Sequence, residues 1–198
     1  MRIAIDFDGT IANTYVLQRQ FCKEKYGIDF PWFAMTGALR RQYLTEEQVV
    51  EVKKYAHGPA TLDAPLVPGA REAIQSLVLA GHKIIILTGR VAAGAQSAKE
   101  YLKRNKIPYH HFIFVSDDEK RRLADGTILS KNVVVNRLKL DVIIDDQQKG
   151  LGSLTSSGVM VIIIDQPWNQ QEILQQGVLR VKGWREIAEL LLMTPAKV

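Results

Sequence analysis

The sequence predicts an open, doubly wound α/β sheet of parallel strands, with a small all-helical segment inserted after the first strand. Three observations carry this expectation. Four near-continuous Val/Ile/Leu runs, at residues 3–7, 83–87, 142–144 and 159–164, read as strands buried on both faces, the habit of a parallel sheet. Helical patterns lie between these runs, so that strand and helix alternate along most of the chain. Residues 14–63 break the alternation, with helical patterns and no strand signal.

The first strand, 3–7, opens the chain, and a helix over 15–26 follows it. An aromatic loop, Phe30-Pro31-Trp32-Phe33, comes next. Thr45-Glu46-Glu47-Gln48 fits a capping box that starts another helix, and His57-Gly58-Pro59 stops it. Val67-Pro68-Gly69 leads into a helix over 70–79, which Gly81 closes as a C-cap. The strand at 83–87 is followed by an amphipathic helix over 95–104, a weaker strand at 111–115 and a polar loop at 116–130. A helix over 131–138, the strands at 142–144 and 159–164, and a helix over 184–192 complete the order. The expected layout is Rossmann-like: a core of residues 1–13 and 64–198, and a helical cap of residues 14–63.

Bulk properties narrow the function. At 198 residues the chain is long enough for one substantial core and a small subdomain. No apolar run reaches the length of a membrane span. The acid in the first apolar stretch, Asp6, argues against a signal peptide. A single cysteine, Cys22, rules out an internal disulfide and fits a reducing cytoplasm. The net charge of +5 gives a mild positive field that attracts phosphorylated molecules, nucleic acid included. The basic clusters Lys120-Arg121-Arg122 and Arg40-Arg41 are short, and a solvated surface accounts for them.

The chemistry gathers where strands end. Ligands of α/β sheets bind beyond the carboxyl ends of the strands. The first strand ends in Asp6-Phe7-Asp8-Gly9-Thr10; the i, i+2 spacing places Asp6 and Asp8 on one side and turns Phe7 into the core. Alone, this could be an ordinary Asp-Gly turn. The strand at 142–144 ends in a second pair, Asp145-Asp146, and adjacent acids there call for a hard cation such as Mg²⁺. A third strand ends in Thr88-Gly89-Arg90, which offers a hydroxyl and backbone N–H groups to an anion. Lys131 opens the helix before the second acidic pair and can neutralise a phosphoryl group, although a surface position is the plainer reading for a lone lysine.

These four pieces, in this order, resemble the motifs of the haloacid dehalogenase-like superfamily of phosphohydrolases. Asp6-Phe7-Asp8-Gly9-Thr10 looks like the first motif, Thr88 the second, Lys131 the third, and Ile143-Ile144-Asp145-Asp146 the fourth. Lys120, Lys139 and Lys149 are rivals for the third. The small helical insertion looks most like that of the 5′(3′)-deoxyribonucleotidases and their bacterial relatives. The resemblance implies a phosphatase acting on a small phosphate monoester, with a nucleoside monophosphate favoured. It implies Asp6 as nucleophile and Asp8 as acid/base, the latter protonated for the first step. It further implies Mg²⁺ held by Asp6, Asp8, Asp145 and Asp146, and phosphate held by Thr88, Gly89 and Lys131. Substrate selection is expected in the cap, at Phe30, Trp32, Phe33 and Arg40. Nucleic acid is not the expected partner; a nucleic-acid 3′-end phosphatase and a non-catalytic phosphate-binding protein remain the alternatives.

Overall fold

The computed structural model describes residues 1–90, 94–115 and 129–193. Its centre is one six-stranded, all-parallel sheet in the order β3-β2-β1-β4-β5-β6. The strands are β1 Arg2–Asp6, β2 Lys83–Thr88, β3 His111–Phe114, β4 Val142–Asp145, β5 Met160–Ile164 and β6 Val178–Val181. The helices are α1 Thr14–Tyr26, α2 Glu46–His57, α3 Ala70–Leu79, α4 Ala95–Arg104, α5 Lys131–Leu138 and α6 Trp184–Leu192. The doubly wound fold class is therefore borne out, and so is the placement of helices directly after β1.

Side-chain alternation along the central strands builds two cores. Ile3, Ile5, Ile84, Ile86 and Ile144 face one side and pack with α3, α4 and α6. Ala4, Ile85, Leu87 and Ile143 face the other and pack with Val134 and Val135 of α5. Each buried Ile or Leu contributes about 1.5–3 kcal/mol of transfer free energy, so the register cannot slip by one residue without exposing both sets. Phe7 turns into the first core as expected, fully buried and edge-on to Tyr101 at 5.6 Å.

The helix signals hold at the level of individual bonds. The Thr45 hydroxyl accepts from Gln48 N at 3.3 Å and the Gln48 side chain accepts from Thr45 N at 2.9 Å, closing the capping box of α2. After α3, Gly81 takes φ +84, while His82 N donates to Leu77 O and Gly81 N to Val78 O; this is the Schellman pattern that ends a helix in left-handed backbone.

The sheet also contains what the sequence reading lacked. β6 is a four-residue edge strand with exposed Leu179 and half-buried Arg180, so it has no continuous apolar run to reveal it. Between α1 and α2 the chain forms two 3-10 turns, Trp32–Ala34 and Gly37–Gln42, in place of a plain loop. This region has its own apolar cluster, with Tyr15, Cys22, Phe30, Met35, Leu44 and Val52 packed against Trp168 of the core. The polar loop expected at 116–130, and Lys120 within it, lies outside the described residues except for Leu129 and Ser130.

Candidate active site

The strand order reverses between β1 and β4: β2 and β3 extend the sheet on one side of β1, and β4 to β6 on the other. At such a switch point the loops leaving adjacent strands diverge and open a crevice. Asp6 ends β1 and Asp145 ends β4, so both acids stand at its mouth. Parity then selects the helix that meets them. Asp6 shares a sheet face with Ala4 and Asp145 shares one with Ile143, the face that α5 covers. Ser130 caps α5, its hydroxyl accepting from Val133 N at 3.3 Å, which fixes Lys131 as the first helical residue. Lys131 Nζ donates to Asp6 Oδ1 at 2.7 Å and also to Asp145 Oδ2. Of the rival lysines, Lys139 caps the far end of α5 in left-handed backbone.

Asp6, Asp145 and Asp146 are all buried and offer carboxylate oxygens that lie within 4.8 Å of one another. Burial pushes Asp6 up to about 7, with Asp145 and Asp8 adding to the effect and Lys131 opposing it. Burial also drives Asp146 well above the usual carboxylate range, aided by the charges of Asp145 and Asp6. Three crowded acids with one lysine lack positive charge, and an all-oxygen set of this kind suits a hard divalent cation. The surroundings hold the acids in place. Trp168 Nε1 donates to Asp146 Oδ2 at 2.7 Å, Asn169 Nδ2 to Asp146 O at 2.8 Å, and Gln147 N to Asp145 Oδ1 at 3.0 Å.

Gly9 (φ +81) turns the chain directly above this set, and a Cβ there would stand 2.5 Å from Asp146 Oδ2. Gly9→Ala is therefore expected to displace Asp146 and to strain the backbone by about 1–2 kcal/mol. Isothermal titration with Mg²⁺ checks it: the variant should bind at least tenfold more weakly, and unchanged affinity would remove Gly9 from the argument.

Asp8 stands differently from the expectation. Arg90 grips its carboxylate with both arms of the guanidinium, Nη2 to Oδ1 at 2.7 Å and Nε to Oδ2 at 2.9 Å, and Thr14 Oγ1 donates to Oδ1 at 2.7 Å. Burial alone would raise the Asp8 pKa; Arg90, followed by His57 and Thr14, outweighs it and holds the group well below the usual carboxylate range. Without a substrate, these partners favour the ionised form of Asp8. Arg90 is almost fully buried and also donates to Thr61 Oγ1 at 2.9 Å, and His57 Nε2 lies 4.0 Å from Asp8 Oδ2.

The remaining expected residues fall in varied places. Thr88, at the end of β2, is buried and its hydroxyl accepts from Arg90 N at 3.3 Å; Gly89 beside it is exposed. Phe30 is enclosed in the apolar cluster between α1 and α2, so it has no face to offer a ligand. Phe33 is 40% exposed. Trp32 has the Arg19 guanidinium over its ring at 4.9 Å and lies 6.2 Å from Trp168, whose indole holds Asp146. Arg40 is buried against Gln18. His110 serves the sheet, its Nδ1 accepting from Ile84 N at 3.1 Å. The sequence reading missed the roles of Arg90, His57, Trp168 and Asn169. For Arg90 the Thr-Gly-Arg phrase was a signal; the others come from distant segments with none.

Residues 1–197 match the family described as 5′ nucleotidase, deoxy (pyrimidine), cytosolic type C protein. The chain belongs to this family. The expected likeness to the 5′(3′)-deoxyribonucleotidases is borne out at the level of that family, and the expected haloacid dehalogenase-like fold is borne out by solved structures. Among individual relatives, the chain is similar to a candidate nucleotidase, OB0422 of Oceanobacillus iheyensis, at 28% identity over 130 residues, 64% of this chain and 62% of that protein. The match thus spans less than two thirds of that relative's length. A second candidate nucleotidase, YqfW of Bacillus subtilis, matches at 24% identity over 96% of this chain and 92% of its own. In fold, the chain resembles D,D-heptose 1,7-bisphosphate phosphatase from B. bronchiseptica complexed with magnesium and phosphate, with a TM-score of 0.57, 14% identity, and coverage of 98% and 99% of the two chains. Among the described residues no helix is long and apolar enough to cross a membrane.

Proposed function

We propose that this chain is a Mg²⁺-dependent phosphatase that hydrolyses a nucleoside monophosphate through an aspartyl-phosphate on Asp6. The observation that carries the reading is the convergence of Asp6, Asp145 and Asp146 with Lys131 at the switch point, with Asp8 and Arg90 beside them. Asp6, Asp145, Asp146 and the backbone carbonyl of Asp8 would hold the ion. When bound, Mg²⁺ supplies charge neutralisation between the anionic nucleophile and the anionic phosphate.

An Asp6 carboxylate oxygen forms the bond to phosphorus as the ester P–O bond breaks, and the leaving alkoxide takes a proton from Asp8. Water then attacks the phosphorus of the aspartyl-phosphate, Asp8 takes its proton, and Asp6 is regenerated. Ionised Asp8 is ready for the second step. For the first, the negative charge of an arriving phosphate raises its proton affinity and competes for Arg90. Thr88, the exposed backbone at Gly89, and Lys131 would hold the phosphoryl oxygens. Residues 14–63 act as the cap and 1–13 with 64–198 as the core, with Trp32 of the cap beside Trp168, the indole that holds Asp146. The family description, which names a cytosolic protein, supports a cytoplasmic location.

The test is phosphate release from nucleoside monophosphates, sugar phosphates and 3′-phosphorylated oligonucleotides, with Mg²⁺ and with chelator. Metal-dependent turnover of nucleotides is expected. Turnover of oligonucleotides alone, falling steeply with salt, would replace the reading with a nucleic-acid end phosphatase. No turnover by folded protein would leave a phosphate-binding role.

Metal should also stabilise the fold. Because the Asp6 pKa is raised to about 7, the metal-free protein loses stability as pH rises from the unfolded carboxylate range, about 3.9, towards 7. Mg²⁺ at about 100 times its Kd adds about 2.7 kcal/mol, roughly 5–10 °C in Tm for a chain of this size. The gain should shrink below pH 7, where the ion must displace a proton. Thermal melts with and without chelator at pH 5 and 8 check both trends; an equal gain at the two pH values would contradict the burial argument.

A further inference from the structure

We infer that the cap carries a second anion subsite, built from Arg40 and Lys53 with His57 leading from it to Asp8, which receives a second phosphate borne on the leaving group of the substrate. The inference rests on the proposed phosphatase activity and names the class of substrate it takes.

Charge without a carboxylate partner marks this cluster. Four cations around the site have carboxylate partners: Arg90 pairs with Asp8, Lys131 with Asp6 and Asp145, Arg41 with Glu46, and Arg19 with Asp29. Among the described residues Arg40 and Lys53 make no ion pair. Arg40 is only 6% exposed, its guanidinium donates to the neutral amide of Gln18, and its Nε–H is enclosed without an acceptor. Taking a guanidinium out of water without an anion is unfavourable, and an unmade hydrogen bond at a buried donor adds to the cost. A site that accepts this cost in the free protein is complemented by a ligand that brings negative charge.

Position relates the cluster to the reaction. Lys53 and His57 are four residues apart on α2 and so share a face. His57 closes that helix 4.0 Å from Asp8, so the stripe runs from the reacting group outward along the cap. Lys53 is exposed and open to a ligand. The charges of Arg40, Arg41 and Lys149 act on it, with Glu46 opposing them; Lys149 acts from the loop that follows the Asp145-Asp146 pair in the core. The positive field therefore spans the cleft from both sides, and an anion placed there draws cap and core together. One helical turn separates Lys53 from His57, about 6 Å along the axis, a span that a pentose bridges. A substrate with one phosphate at Asp6 and a second across the sugar fits this spacing.

The experiment compares deoxythymidine 5′-monophosphate with deoxythymidine 3′,5′-bisphosphate. Wild type should favour the bisphosphate at least tenfold in kcat/KM, through KM. Lys53→Gln and Arg40→Gln should each bring the ratio close to one, and Lys53→Arg should restore it. Lys53 is exposed, so its variant tests the idea even if Arg40→Gln fails to fold. Equal kcat/KM for the two substrates in wild type, or a preference that survives Lys53→Gln, would overturn the inference. Calorimetry of both ligands with the Asp6→Asn protein separates the two readings. A Lys53-dependent preference in binding without any turnover in wild type would keep the subsite and remove the phosphatase. Equal or undetectable affinities would remove the subsite.

Discussion

Asp6→Asn should lower Mg²⁺-dependent phosphate release by about four orders of magnitude or more, while the metal-free protein melts no lower than wild type. The loss follows from removing the nucleophile and a metal ligand together, and losses on this scale are met when an enzyme loses the group that forms the covalent intermediate. The retained stability follows from the same environment. Asp6 is buried among other acids, and its pKa is pushed up to about 7. At pH 8 the native state therefore holds a carboxylate that burial and Asp145 both disfavour. Asparagine removes that charge and keeps an oxygen that can accept from Lys131, which retains Asp145 as its other partner. Phosphate release and thermal melting in chelator at pH 8 measure the two halves. A variant that keeps a tenth of the activity would exclude Asp6 as nucleophile, and a large drop in Tm would show that its charge supports the fold.

Arg90→Met should cost about 3–5 kcal/mol of stability at neutral pH, the penalty for leaving one partner of a buried ion pair behind. Arg90 is almost fully buried, and it satisfies Asp8 with two hydrogen bonds while tying it to Thr61 and to the His57 carbonyl at 3.5 Å. Arg90→Lys keeps the charge and loses the planar fork, so it should recover only part of the difference. The sign with pH is fixed by Asp8. Its pKa is depressed in the folded protein, so its contribution is fully present above the unfolded carboxylate value, about 3.9, and is lost as pH falls through the folded value. The gap between wild type and Arg90→Met should therefore narrow as pH falls below about 4. Denaturant unfolding at pH 7 and pH 3.5 measures this. A gap that stays constant would mean that Arg90 stabilises by packing over Phe7, whose ring lies 4.6 Å from the guanidinium carbon, rather than through Asp8.

Much of this molecule was legible in one dimension. The bounds of α3, α4, α5 and α6 agree with the helical patterns, because caps and breakers such as Gly81 act on neighbouring residues through backbone bonds. The central strands were legible because burial on both faces leaves no room for polar residues. Asp6, Asp8, Asp145 and Asp146 stood out for the opposite reason, as paired acids at the ends of apolar runs, where only an ion or a partner charge offsets their repulsion.

The sequence by itself determined the fold class, the order of the elements and the inventory of acids. Only the tertiary structure decided which partner each acid takes. Lys131 meets Asp6 and Asp145 because the parity of β1 and β4 turns both towards α5. Asp8 is gripped by Arg90, which comes from a strand end 82 residues away. Trp168 holds Asp146 from the loop after β5, and Arg40 is left without an anion by burial against α1. Apolar periodicity and capping are local and repeat along the chain. Charge pairing depends on distances between segments remote in sequence, and those distances exist only once the sheet has formed.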